Sequence, residues 1–492
     1  MMPCAISQHF TKPFKNHVFV VWGMVAVAVF ASTGRPSVAD ERPNVLLIII
    51  DDLNDWTTLH DKSNPIRTPQ MQRLASRGVF FSHAYCVSPA CNPSRVSLWT
   101  GIRPHRSGIY GNAADWQKAV PDAVTFFRHY KNQGYHVAGA GKLFHHHADW
   151  AFHENGAFDE YLMLSINEPY PEKKLNALDW LGSRNTDWGP WPERVDQTGD
   201  DRVVEFGKTF LARGHDDPFV LALGIYKPHS PFFAPPQFFE RYPLVSLTMP
   251  QLNDDDLSDL PTGALNLIGP PDVIRGAGRG FWNGLVKAME QRPETHQEFV
   301  QAYQACASFA DHSVGRILDA LENSEYDDNT IVVLMSDHGF HVGEKNHVEK
   351  FMLWEKTTRI PLILCGPGIQ PRSDACEIPV DLTAIYPTLT QLCGIATPSQ
   401  CDGLSLSPLL AGQAQQRPPA LMTYLKGNHA VRTERWRYIR YEDGTEELYD
   451  HQSDPHEWSN LAGSDVATEV IPNLRQWIPE TDASAVPNLK AR

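Results

Sequence analysis

The sequence predicts an α/β fold: a large doubly wound, mostly parallel sheet flanked by helices, then a small C-terminal antiparallel sheet with a helix. Four short apolar runs without polar alternation read as strands buried on both faces, the mark of a parallel sheet. Segments of helical periodicity separate them, and this alternation places helices on both sides of one sheet. Each run also ends in acids, lysine or histidine, and in such sheets ligands bind outside the carboxyl ends of the strands.

The first strand is Asn44 to Ile50, ending in Asp51-Asp52. Tyr135 to Ala140 leads into Gly141-Lys142-Leu143-Phe144-His145, Pro218 to Ile225 into Tyr226-Lys227-Pro228-His229, and Thr330 to Ser336 into Asp337-His338-Gly339. A fifth strand, Ile360 to Cys365, ends in Gly366-Pro367-Gly368 and reads as structural. Helices are expected over Pro69 to Arg77, Val124 to Asn132, Asp201 to Ala212 and Gln297 to Glu322. Residues 165–200 and 243–295, rich in Pro, Gly, Trp and Asp, are expected as long loops over the site.

Beyond Leu410 the pattern changes. Gln413 to Pro419 reads as a linker, Ala430 to Tyr441 and Glu447 to Tyr449 as strands around an Asp443-Gly444 turn, and Val466 to Trp477 as a terminal helix. The expected division is therefore a catalytic α/β domain over residues 40–412 and an α+β subdomain over 413–492.

Residues 1–39 read as a signal peptide. Lys12 and Lys15 precede an apolar run from Val18 to Ala31, and Ser37-Val38-Ala39 fits a cleavage site. The expected product is secreted or periplasmic, without stable membrane insertion after cleavage, although retention as an anchor stays open. The net charge of −15 becomes −18 once the three bases Lys12, Lys15 and Arg35 leave with that segment. Such an acidic chain argues against nucleic acid as a partner, and an anionic substrate would need a local cluster of cations. The cysteines are too few for a disulfide scaffold, and Cys393–Cys401 or Cys365–Cys376 pairing stays open.

That cluster centres on Cys91-Asn92-Pro93-Ser94-Arg95. Pro93 suits the first turn of a helix, which Gly101 stops. Cys91 thus lies at a helix N-terminus, where peptide dipoles favour negative charge, and Arg95 lies one turn later. Asp51, Asp52 and Asp337, with His338, suit a hard divalent cation if the strand ends bend. Lys142, His145, His229, Lys350 and Arg95 would line the same cavity and imply an anionic substrate group. His146 and His147 are given no role, and His105, Asp115 and Trp116 read as structural.

The pentapeptide resembles the Cys-x-Pro-Ser-Arg signature of the type I sulfatases, a branch of the alkaline phosphatase superfamily. The resemblance extends to Asp51-Asp52, Leu98-Trp99-Thr100-Gly101, Gly141-Lys142, Asp337-His338-Gly339, and Glu447-Leu448-Tyr449-Asp450 with Asp454-Pro455. Three stretches look most like iduronate-2-sulfatase: Gly141 to His145, Lys227-Pro228-His229-Ser230-Pro231-Phe232, and Asp337-His338-Gly339.

This resemblance implies hydrolysis of a sulfated saccharide. It implies that a formylglycine-generating maturation enzyme oxidises Cys91 to the aldehyde, whose hydrate attacks sulfur. Asp51, Asp52, Asp337, His338 and the modified Cys91 would hold Ca²⁺, ahead of Mg²⁺. Arg95 would hold the hydrated aldehyde. Lys142, His229 and Lys350 would contact sulfate oxygens, with His229 or Lys350 protonating the leaving alcohol, and His145 would remove the proton that releases sulfate. Two other readings remain open on the sequence: a phosphate or phosphonate ester hydrolase of the same superfamily, and an unmatured Ca²⁺-dependent carbohydrate-binding protein.

Overall fold

A computed structural model of the chain describes residues 42–145, 153–164, 169–274 and 276–489. The signal segment and its cleavage site lie outside the described residues. Among the described residues, no helix is long and apolar enough to cross a membrane.

The main sheet has seven strands: β1 (Asn44–Ile50), β2 (Gly78–Phe80), β3 (His136–Gly141), β4 (Glu160–Leu162), β5 (Phe219–Ile225), β6 (Thr330–Ser336) and β7 (Leu362–Cys365). Their order is β2-β7-β6-β1-β5-β3-β4. The central ladders, β6 with β1, β1 with β5 and β5 with β3, are parallel. β7 runs antiparallel to both β6 and β2.

β1 explains the parallel core. Val45 to Ile50 are all fully buried, because both faces of the strand are covered. Leu46, Ile48 and Ile50 pack into one apolar layer, and Val45, Leu47 and Ile49 into the other. At about 1.5–3 kcal/mol per buried side chain, this strand alone contributes on the order of 10 kcal/mol. One layer includes α1 (Pro69–Ala75), α4 (Gly199–Leu211) and the 28-residue α5 (Thr295–Glu322). The other includes α2 (Cys91–Thr100), α3 (Phe126–Asn132) and α6 (Ile385–Leu392).

Several expectations are corrected. The fifth run is not one strand: Arg359–Ile360 pairs with Ala84–Tyr85 in a separate small sheet, and only Leu362–Cys365 joins the main one. Pro361 between them has no N–H to donate, so the ladder breaks there. The expected loop at 243–295 contains helices over Thr262–Ile268 and Arg279–Met289. The C-terminal sheet has four strands, β8 (Ala420–Thr423), β9 (His429–Arg432), β10 (Trp436–Arg440) and β11 (Glu446–Asp450), in sequential antiparallel order. The run Ala430 to Tyr441 is therefore a hairpin, turned at Thr433–Arg435, and α7 (Asp465–Arg475) follows. The described cysteines are all free thiols.

A buried ionic network ties this sheet to the loop that follows the catalytic strand ends. Glu355 pairs with Arg432 of β9 at 3.1 Å and with Arg437 of β10, and accepts a hydrogen bond from the Tyr85 hydroxyl at 3.0 Å. Glu355→Ala would leave two buried guanidiniums without this carboxylate. The expected loss is about 3–5 kcal/mol of stability, read as a lower urea midpoint by circular dichroism.

Candidate active site

The strand ends bend toward α2. Asp52 sits at φ +64°, a left-handed conformation, so Asp51 and Asp52 both turn to one side instead of alternating. The amide of Asp52 donates to Asp337 Oδ1 at 3.2 Å, and Tyr303 of α5 donates to the Asp52 carbonyl at 2.9 Å. Lys142 is brought in by a glycine pair. A Cβ on Gly141 would lie 2.2 Å from the Gly224 carbonyl, and one on Gly224 would lie 2.2 Å from the Lys142 carbonyl. Only two glycines let β3 and β5 approach this closely at their ends.

α2 begins at Cys91 itself, with extended Ala90 as its N-cap and left-handed Gly101 as its C-cap. Every residue of this helix is buried. Ser94 Oγ donates to the Asp337 carbonyl at 2.6 Å, which locks the helix to the end of β6.

Cys91 Sγ is the focus. Lys350 Nζ and His338 Nε2 are each 3.3 Å from it, Lys142 Nζ is 3.5 Å away and Asp51 Oδ1 3.9 Å. Burial alone would raise the thiol, but Lys142, Lys350 and His338 outweigh it and pull Cys91 well below its usual range. Arg95 is fully buried. Its guanidinium donates to Asp337 Oδ2 at 2.9 Å, to Asp51 Oδ1 at 3.2 Å and to the Lys142 carbonyl. Lys142 also pairs with Asp51, and Lys350 with Asp52 Oδ1 at 2.7 Å. Burial would raise Asp51, yet Lys142, with His229 and Arg95, holds it well below the carboxylate range. Burial would lower the His338 ring, but Asp337 and Cys91 raise it to about 9.

His229 reaches the mouth with 19% of its side chain exposed, its Nε2 3.9 Å from Asp52 Oδ2. Its Nδ1 lies 2.6 Å from the Ser230 carbonyl, which can only accept, so Nδ1 carries the proton and Nε2 faces the site. His145 lies beside Cys91 and hydrogen-bonds to it. Asp51, Asp52, Cys91, Arg95, Lys142, His145, His229, Asp337, His338 and Lys350 thus gather at one place, and His146 and His147 lie outside the described residues. Asp115 caps a short helix and Trp116 stacks on Phe144 at 5.5 Å, both as structural parts.

The donors fit a divalent cation. One ligand atom each from Asp51, Asp52, Cys91 and His338 lies within 4.8 Å of the others. Asp52 Oδ2 is buried without a hydrogen-bond partner, an acceptor that a cation would satisfy. Asp337 stands at the edge of this set, its carboxylate held by Arg95.

Sequence reasoning passed over Ser94, Tyr303 and Glu349. Ser94 was visible inside the motif, but its bond to a carbonyl of a distant strand was not. Glu349 directly precedes Lys350, half-buried at the site, and burial lifts its carboxyl to about 7. Adjacency to a cation of the site was the available signal.

A buried nucleophile ringed by cations and carboxylates at the carboxyl end of a parallel sheet defines a class of enzyme that attacks anionic esters. The sulfatase family model matches residues 43–395, and a model of the C-terminal region of N-sulphoglucosamine sulphohydrolase matches residues 343–484. A sulfatase of Formosa agariphila is 37% identical over 90% of this chain and 88% of its own. A choline-sulfatase of Rhizobium meliloti is 28% identical (86% and 82%), and human iduronate 2-sulfatase 29% identical (78% and 74%). A solved structure of a 2-O GAG sulfatase shares the fold, with TM-score 0.68 at 24% identity over 88% of this chain and 90% of its own. The chain belongs to the sulfatase family and is a hydrolase of sulfate esters.

Proposed function

We propose that the enzyme removes sulfate from a sulfated saccharide, with a specificity like that of iduronate-2-sulfatase, through a formylglycine made from Cys91. The observation that carries this reading is the convergence of Lys142, His338 and Lys350 on Cys91 Sγ within 3.5 Å. A nucleophile is at the focus of two lysines and a metal-ligand histidine, where the sulfate charge would sit. The likeness to iduronate 2-sulfatase over most of this chain supports the substrate reading, as do the shared Gly141 to His145 and Lys227 to Phe232 stretches.

Asp51, Asp52, Asp337 and His338, with the modified Cys91, would hold the cation, Ca²⁺ by family expectation. When bound, it supplies positive charge that favours the deprotonated nucleophile. The protein side chains do the rest. Arg95 spans Asp51 and Asp337 and fixes the nucleophile's surroundings. Lys142 and Lys350 balance the sulfate oxygens, as preorganised charges in a buried site. Lys350 is held well above its ordinary range, because Asp52 and Cys91 overcome the effect of burial, so it stays charged. His229, whose Nε2 faces the site, or Lys350 would protonate the departing alcohol. His145, beside Cys91, is placed to take the proton whose loss releases sulfate. Secretion after signal cleavage, and a maturation enzyme as partner, complete the reading.

Two measurements test it. Mass spectrometry of the peptide bearing position 91, from protein made in its native host, is expected to show formylglycine. Unmodified cysteine alone would remove the mechanism. Side-by-side kinetics on 2-O-sulfated hexuronate disaccharides, choline sulfate and an aryl phosphate are expected to favour the disaccharides by kcat/KM. Preference for either of the others would overturn the substrate reading.

A further inference from the structure

The carboxyls around the nucleophile differ in one respect. Asp51 is paired with Lys142 and Arg95, Asp52 with Lys350, and Asp337 with Arg95. Glu349 makes no side-chain hydrogen bond or ion pair among the described residues. It nonetheless borders the site, since it directly precedes Lys350, whose Nζ lies 3.3 Å from Cys91 Sγ.

The backbone holds it there at a cost. Val348–Glu349 pairs antiparallel with His341–Val342, placing Glu349 opposite His341. Glu349 has φ +82° and Phe351 φ +80°, so two non-glycine residues in left-handed conformation flank Lys350. Such a conformation is unfavourable for a residue with a side chain and persists only where its surroundings impose it. Here the Phe351 amide donates to the Pro89 carbonyl at 3.0 Å, just before α2, and Lys350 is tied to Asp52 and Cys91. Inserting Lys350 into the floor leaves Glu349 half-buried beside it. Phe351 and Tyr424 are also half-buried, their ring centroids 6.0 Å apart, and the Phe351 ring lies 5.9 Å from the Lys350 ammonium, so an apolar surface adjoins it.

An unpaired carboxyl and an apolar surface suit the two kinds of contact that a sugar offers, hydroxyl donors and C–H faces. We infer that Glu349 determines specificity by accepting a hydrogen bond from the substrate hydroxyl adjacent to the sulfated oxygen, while the sugar ring rests on Phe351 and Tyr424. The inference rests on the saccharide reading given above. Either protonation state of the carboxyl offers an acceptor oxygen, so recognition does not depend on its charge.

The test uses two substrate pairs that differ by that one hydroxyl. One is a methyl hexuronide 2-sulfate and its 3-deoxy analogue. The other is 4-nitrocatechol sulfate and 4-nitrophenyl sulfate, assayed at mildly acidic pH where the free phenol keeps its proton. The readout is the ratio of kcat/KM within each pair for wild type, Glu349→Gln and Glu349→Ala. Because both members meet the same protein sample, partial misfolding cancels. The preference for the hydroxyl-bearing member is expected to fall about 2- to 10-fold in Glu349→Ala, as for a lost hydrogen bond. Glu349→Gln keeps an amide oxygen in the same place and should retain part of it. An unchanged ratio, with or without a general loss of activity, would overturn the inference, and is also what a proton-transfer role would give. If only the aryl pair is hydrolysed, the saccharide reading falls while Glu349 is judged on that pair. If neither pair is hydrolysed, both fall together.

Discussion

Replacing Cys91 by alanine or serine abolishes sulfate-ester hydrolysis, with an expected loss of about 10⁶-fold in kcat, the scale found when a nucleophile is removed. The two variants are chosen for different reasons. Alanine removes every reactive atom from the start of α2. Serine keeps an oxygen in the same position, amid Lys142, Lys350 and His338, but is not a thiol that can be oxidised to the aldehyde. If the working group is made from the thiol, serine is as inactive as alanine. Substantial activity in Cys91→Ser would mean that a plain hydroxyl suffices there, and would sink the formylglycine reading. Both variants should fold, because the site keeps its carboxylate–cation pairs. Circular dichroism and a steady-state assay on an aryl sulfate check the two halves of the expectation.

Arg95→Ala combines a catalytic loss with a structural one. The guanidinium is fully buried and binds Asp337, Asp51 and the Lys142 carbonyl at once. Removing it leaves two buried carboxylates short of a cation, at a cost of about 3–5 kcal/mol. It also removes a preorganised positive charge beside the reacting anion, worth about 10²- to 10³-fold in turnover. Arg95→Lys separates the effects. It restores a charge, and so part of the stability measured by urea titration, but a single ammonium cannot reproduce the three-way fork, so activity stays low. Turnover within about threefold of wild type in Arg95→Ala would show that Arg95 acts only on the fold.

The apolar runs made the central sheet legible because a strand buried on both faces has no freedom to alternate. Asn44–Ile50 and Thr330–Ser336 occur at their expected bounds; the helix expected from Pro93 to Thr100 starts two residues earlier, at Cys91, and stops at Gly101 as expected. The misreadings share a cause. Ile360–Cys365 looked continuous because apolar residues lie on both sides of Pro361, yet the two halves enter different sheets. Ala430–Tyr441 looked like one strand because the turn at Thr433–Arg435 carries neither Gly nor Pro. Residues 243–295 looked like loop because Pro and Gly hid two short amphipathic helices.

By itself the sequence determined the fold class and the family, and it singled out most of the side chains that the fold gathers around Cys91, because those rest on burial patterns and a dense set of local motifs. The tertiary structure alone decided how these residues face one another. Asp52 turns into the site only through a left-handed backbone, and Lys142 enters through a glycine contact between two strands far apart in sequence. Asp337 is held by Arg95, and Glu349 is left with an open carboxyl because Lys350 must be inserted beside it. These outcomes depend on which buried charge finds which partner across the sheet, and no local spacing encodes that choice.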